Sequence, residues 1–182
     1  MSAQFASRLL VCLAIAWPGA AHAEGLIREL KGGILAHDVP NLWSGFRSES
    51  DAVAVNVEAL LTPSLPFLGG TLRPAIGASI ATEGGTSNVY LDARWELETA
   101  SGIFFAIGVG GTVHDGETKL LAANQTSKAL GSHLLFHIPA EIGYRFDRHN
   151  SISIYFEHMS NGNTRDENEG LDRLGVRYGY RF

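Results

Sequence analysis

The chain reads as all-β, an eight-stranded antiparallel transmembrane β-barrel. Three observations point there. Runs of ten to twelve residues alternate between apolar and polar or small side chains. They suit tilted membrane strands of about nine to eleven residues better than the five or six usual in soluble sheets. The face opposite the apolar one carries charge at mid-strand, including Glu58, Asp92, Arg94, Glu141, Arg173 and Arg177, with glycines between. A solvated sheet face would look similar. A narrow barrel that pairs these charges inside and turns its apolar face to lipid fits better beside the third observation, an export leader.

That leader is residues 1–23. Arg8 is the only charge before Glu24, Leu9 to Trp17 is apolar, and Ala21-His22-Ala23 is a small-x-small cleavage site. The apolar run is too short to span a bilayer as a helix. Cys12, the only cysteine, lies within it and follows Val11, which is too large for a lipoprotein site. The expected mature chain, residues 24–182, is one barrel domain without a disulfide or thiolate ligand. Of 14 Lys and Arg residues one is Arg8, against 19 Asp and Glu, so the mature chain is mildly acidic and no nucleic-acid partner is expected.

The strands follow in order. Gly25 to His37 alternates weakly. Asp51 to Leu61 turns Val53, Val55 and Val57 one way and Asn56 and Glu58 the other. Thr71 to Ala81 contains Pro74, which weakens the strand or marks a bulge. Asn88 to Glu98 is the clearest case, with Val89, Leu91, Ala93, Trp95 and Leu97 on one face. Ile103 to Gly110, His133 to Phe146, Ser151 to Ser160 and Leu171 to Phe182 complete the count of eight. With the N-terminus periplasmic, loops 38–49, 82–87, 115–129 and 161–170 are external, and the short turns near Thr99 and Asp147 are periplasmic. The turn at 62–70 is longer than such barrels prefer. The terminal Tyr178-Gly179-Tyr180-Arg181-Phe182 resembles the closing strand of bacterial outer-membrane barrels.

The last thirty-two residues carry the chemistry. By parity, His158 and Ser160 share the apolar face of Ile152, Ile154 and Phe156, and Asp172 shares the apolar face of Leu174 and Val176. Polar groups on a lipid face are costly unless they function or lie at headgroup level. His158 and Ser160 are two residues apart, about 6.5–7 Å by strand rise, which imidazole and hydroxyl can bridge. An antiparallel neighbour brings Asp172 to the imidazole. The expected roles are nucleophile for Ser160, base for His158 and orienting acid for Asp172. The backbone amides of Asn161 and Gly162 and the side chain of Asn168 are candidate oxyanion donors. Glu169 and Asp166 are fallback acids. Glu157 is excluded because its parity points inward. A lone His-x-Ser at a strand end is most often a hydrated pair, so spacing alone does not establish catalysis.

The stretch His158-Met159-Ser160-Asn161-Gly162, followed by Asn168-Glu169-Gly170-Leu171-Asp172, resembles the signature of the lipid A 3-O-deacylase (PagL-type) family. The resemblance implies an eight-stranded outer-membrane barrel with a Ser–His–acid triad near the outer-leaflet interface. It implies an esterase that removes the 3-O-linked acyl chain of lipid A in lipopolysaccharide. Carried over by position, Ser160, His158 and Asp172 match the triad, and Asn161 and Asn168 match polar positions of the motif. The aspartate departs from the family's glutamate and is one methylene shorter. No cofactor is expected. His114, His133, His137 and His149 are too scattered for a metal site. The competing readings are a non-catalytic barrel acting as an adhesin or envelope-structural protein, and a soluble lipocalin-like barrel.

Overall fold

The computed structural model describes residues 25–182 apart from 46, 50–51 and 120–126. The expected leader, residues 1–23, lies outside the described residues. The strands are β1 (Ile27–Ala36), β2 (Val53–Leu61), β3 (Leu65–Phe67), β4 (Gly70–Ala81), β5 (Asn88–Glu98), β6 (Ile103–His114), β7 (Leu134–Arg145), β8 (Asn150–Ser160) and β9 (Leu171–Arg181). All pairings are antiparallel, and β1 pairs with both β2 and β9 while β2 also pairs with β4. Each of the eight long strands is therefore paired on both sides, and these eight close into a barrel. The short β3 is the ninth strand. It folds the long 62–70 turn back on β4, with Phe67 opposite Gly70. The expected eight-stranded barrel is the architecture observed, with one extra hairpin at its short-turn end.

Two prolines lie in the long strands, and each lies where its missing N–H costs least. Pro74 does not break β4. It lies just beyond the last β2–β4 pair, Leu60 with Ala75. The β6–β7 ladder skips from Ile107–Ala140 to Gly110–His137, and Pro139 falls in the gap.

Parity places the apolar set outside. Val57, Leu91, Val109, Ile154 and Val176, from five different strands, are each more than half exposed, which defines a lipid-facing belt. Inside, Arg177 reaches Glu58 at 3.3 Å and also pairs with Glu141, which takes Lys31 at 3.0 Å. Arg94 pairs with Glu58, and Arg173 pairs with Glu157. His137 sits between Asp92 at 2.9 Å and Glu157 at 3.3 Å. Arg173, Arg177 and Arg181 form an inward stripe on β9 that draws on Glu157 and Glu141. It also uses Glu58, and Arg181 at the short-turn end uses Glu29, Glu96 and Glu98. The Tyr155 ring lies 3.6 Å from the Arg177 guanidinium, packed among the charges. Glycine makes room for the aromatics, since a Cβ on Gly77 would lie 2.4 Å from the Tyr90 hydroxyl. The interior is a packed ionic core with no continuous apolar centre.

Removing one member of such a buried set strands its partners at a cost of about 3–5 kcal/mol. Glu141→Leu leaves Lys31 and Arg177 under-paired and should lower stability by roughly that amount. Exposed Glu83→Gln should change it by less than about 0.5 kcal/mol. Urea titration of the refolded barrel in detergent, followed by its heat-modifiable gel band, measures both.

Candidate active site

Strand register assembles the site. The β8–β9 ladder places His158 directly opposite Asp172. His158 Nδ1 lies 2.7 Å from Asp172 Oδ1, and its Nε2 lies 2.9 Å from Ser160 Oγ. With Asp172 ionised, Nδ1–H donates to the carboxylate and Nε2 accepts from the serine hydroxyl. That is the tautomer a general base requires. The shorter aspartate reaches the ring because it is the imidazole's direct cross-strand partner.

The second carboxylate oxygen shows how the acid is held. Asp172 Oδ2 accepts the backbone N–H of Trp43 at 2.7 Å and of Ser44 at 2.6 Å. The Trp43 ring stacks on His158, with centroids 4.5 Å apart and planes 8° apart. It also lies over Phe156 at 6.5 Å. His158 is only 5 % exposed although its strand position faces outward. Neither Trp43 nor Ser44 is foreseeable from spacing. They precede Asp172 by more than 120 residues, and only barrel closure brings loop 38–49 against β9.

Loop 161–170 forms the other wall. Asn161 was expected to offer its amide to an oxyanion. Instead that N–H donates to Asn168 Oδ1 at 2.9 Å, and the Asn161 side chain donates to the carbonyls of Leu130 and Glu167. Asn161 is buried and braces the loop. Asn168 and Gly162 do line the cleft. The Asn168 amide group donates to Asn163 Oδ1 at 2.8 Å and retains a second N–H. The Gly162 N–H, at φ 63°, has no acceptor among the described residues. The fallback acids lie elsewhere. Glu169 accepts from the Ala129 amide and pairs with Arg47 at 3.1 Å, and Asp166 is exposed. Glu157 faces the interior on Arg173, as its parity requires.

The long loops are knitted together beneath this surface. Lys128 is buried and donates to Asp38 Oδ1 at 2.7 Å and to the Gly170 carbonyl at 2.9 Å. It ties three loops at one ammonium. Beside it, Glu49 accepts from Thr86 N at 2.8 Å and Thr86 Oγ at 2.9 Å and lies 2.7 Å from His37 Nε2. Arg173 Nε donates to His37 Nδ1, so His37 Nε2 is the donor toward Glu49. Burial alone would raise the Glu49 pKa. The His37 and Thr86 hydrogen bonds outweigh it and hold the carboxyl below its ordinary 4.5.

Ser160 and His158 open on a cleft of about 380 Å³ walled by Trp43, Phe136 and Ile138 on its apolar sides. It lies on the outer wall of the barrel at the long-loop end. A closed membrane barrel carrying such a chain of groups on its lipid-facing side has the layout of a membrane-embedded hydrolase. A family model, Lipid A 3-O-deacylase (PagL), matches residues 39–181. The chain belongs to that family of outer-membrane β-barrel enzymes. Among solved structures, the crystal structure of the outer membrane enzyme PagL is similar at TM-score 0.63 and 16 % identity, covering 85 % of this chain and 99 % of that one. Neisserial surface protein A is similar at TM-score 0.55 and 10 % identity, covering 87 % and 97 %. No curated protein sequence matches the chain significantly.

Two outcomes are expected for the loop lock. Lys128→Met leaves Asp38 buried without its cation, so loops 38–49 and 161–170 should become protease-sensitive while the barrel stays heat-modifiable. Glu49 has a folded-state pKa below its unfolded value. Its contribution is therefore complete above about pH 4.5 and is lost as pH falls further. Loop protection against an acid-active protease should decline over that range and should lose this dependence in Glu49→Gln.

Proposed function

We propose that the protein hydrolyses the ester of the 3-O-linked acyl chain of lipid A, in the outer leaflet of the bacterial outer membrane. The observation that carries this reading is the Asp172–His158–Ser160 hydrogen-bond chain, which opens onto an apolar-walled cleft on the barrel's lipid-facing side. Ser160 Oγ attacks the ester carbonyl carbon as His158 Nε2 takes its proton. The oxyanion is met by the Gly162 N–H and the second Asn168 N–H. The carbon–oxygen bond to the sugar then breaks, and His158 returns the proton to the leaving alkoxide. Water, activated by the same imidazole, releases the acyl chain from Ser160 as the free acid. Asp172 keeps the Nδ1–H tautomer and stabilises the imidazolium throughout. A leader at residues 1–23, removed after Ala23, accounts for export to this membrane.

The test is incubation of refolded protein with lipid A and chromatographic assay of released fatty acid. Ser160→Ala and His158→Ala should abolish release while the gel shift of the folded barrel persists. An alanine variant with near wild-type release would assign the chemistry elsewhere.

The acid gives a finer test. In Asp172→Asn, the side-chain oxygen satisfies the Trp43 and Ser44 amides, so its NH2 faces His158 Nδ1. That forces the wrong tautomer, and kcat should fall by about 10³–10⁴. Asp172→Glu must fit an extra methylene between two fixed amides and a stacked ring. It should slow the reaction by about tenfold, the effect of a small displacement of reacting groups. Equal or faster release by the glutamate variant would show that the loop tolerates the family residue.

A further inference from the structure

We propose that Trp43 is a positioning residue for the base: its indole face fixes the His158 ring and stabilises the imidazolium formed when Ser160 gives up its proton. The inference rests on the mechanism above and adds a partner that spacing and motif leave out. The stacking is close and nearly parallel, 4.5 Å and 8°. The same residue's backbone N–H holds the far oxygen of Asp172. One loop residue thus fixes both the acid and the base, from directions at which the β8–β9 ladder offers nothing. Trp43 remains 59 % exposed, so filling a core is not its purpose.

The surroundings of His158 leave few other sources of charge stabilisation. Among the described residues, Asp172 is the one charged group that touches it. Glu169 lines the cleft but is engaged with Arg47 and the Ala129 amide. From β7 it meets the apolar Ile138, its cross-strand partner. On its own strand, Phe156 is apolar and Glu157 points to the interior. Gly170, at φ 59°, closes the ring edge, since a Cβ there would lie 3.2 Å from His158 Cε1. Water is thereby kept from most of the ring. An aromatic face over a desolvated cation stabilises it more than the same contact in water.

The test compares Trp43→Leu, which keeps apolar cover but no π face, with Trp43→Phe, which keeps an aromatic face. The His158 pKa is read by NMR of 13C-histidine-labelled folded protein in detergent, with His158→Gln identifying the signal. Turnover of lipid A is measured in parallel. In Trp43→Leu the pKa should fall by roughly half to one pH unit, and kcat should fall about fivefold with KM within twofold. Trp43→Phe should recover most of both. An unchanged His158 pKa in Trp43→Leu overturns the proposal whatever the activity does. So does a rise in KM alone, which would leave Trp43 no role beyond walling the cleft, or a Phe variant as impaired as Leu. The NMR titration needs no turnover. An inactive wild type would therefore count against the lipid A reading and leave the Trp43 result to be judged separately.

Discussion

The site depends on one cross-strand pair. His158 stands opposite Asp172 in the β8–β9 ladder, and slipping either strand by one residue would carry its side chain through the sheet, away from its partner. The register is held from both sides of the sheet. Inside, Glu157 and Arg173, themselves an opposed pair in the same ladder, form an ion pair with no alternative partner one residue along. Outside, Ile154 faces Val176 and Phe156 faces Leu174 in the lipid belt. The polar interior therefore does more than fill space. It fixes the alignment that brings His158 to Asp172 on the opposite face.

This arrangement turns the usual distribution of polar groups inside out. Charges are packed in the centre, where each has partners, and apolar residues face outward. Buried ion pairs add little net stability compared with apolar packing, but breaking one is expensive. Such a core favours one arrangement strongly over its neighbours.

Much of the barrel could be read from strand parity, because lipid outside and paired charge inside leave a period-two pattern in Asn88–Glu98 and Ser151–Ser160. The same parity brings Ser160, His158 and Asp172 to one face. What it could not reveal depended on closure. Trp43 and Ser44 lie in an irregular loop with no periodicity, and their contact with Asp172 needs the N-terminal and C-terminal strands side by side. Asn161 illustrates a related point. Its place after the serine suggested a free amide, but whether a loop amide is free depends on where the loop folds, and here Asn168 takes it. The β3 hairpin was hidden because three residues are too few to display alternation.

The contact between β1 and β9 joins the two ends of the described chain, and the loop following β1 delivers the clamp on Asp172. Ser160 and His158 are neighbours in sequence and can meet in any chain that forms the last hairpin. The carboxylate is pinned only when the first strand has found the last. The clamp on the carboxylate is therefore completed only by closure, whereas the serine and the imidazole meet within one strand. The complete set of groups exists only in the closed barrel, the form that resides in a membrane.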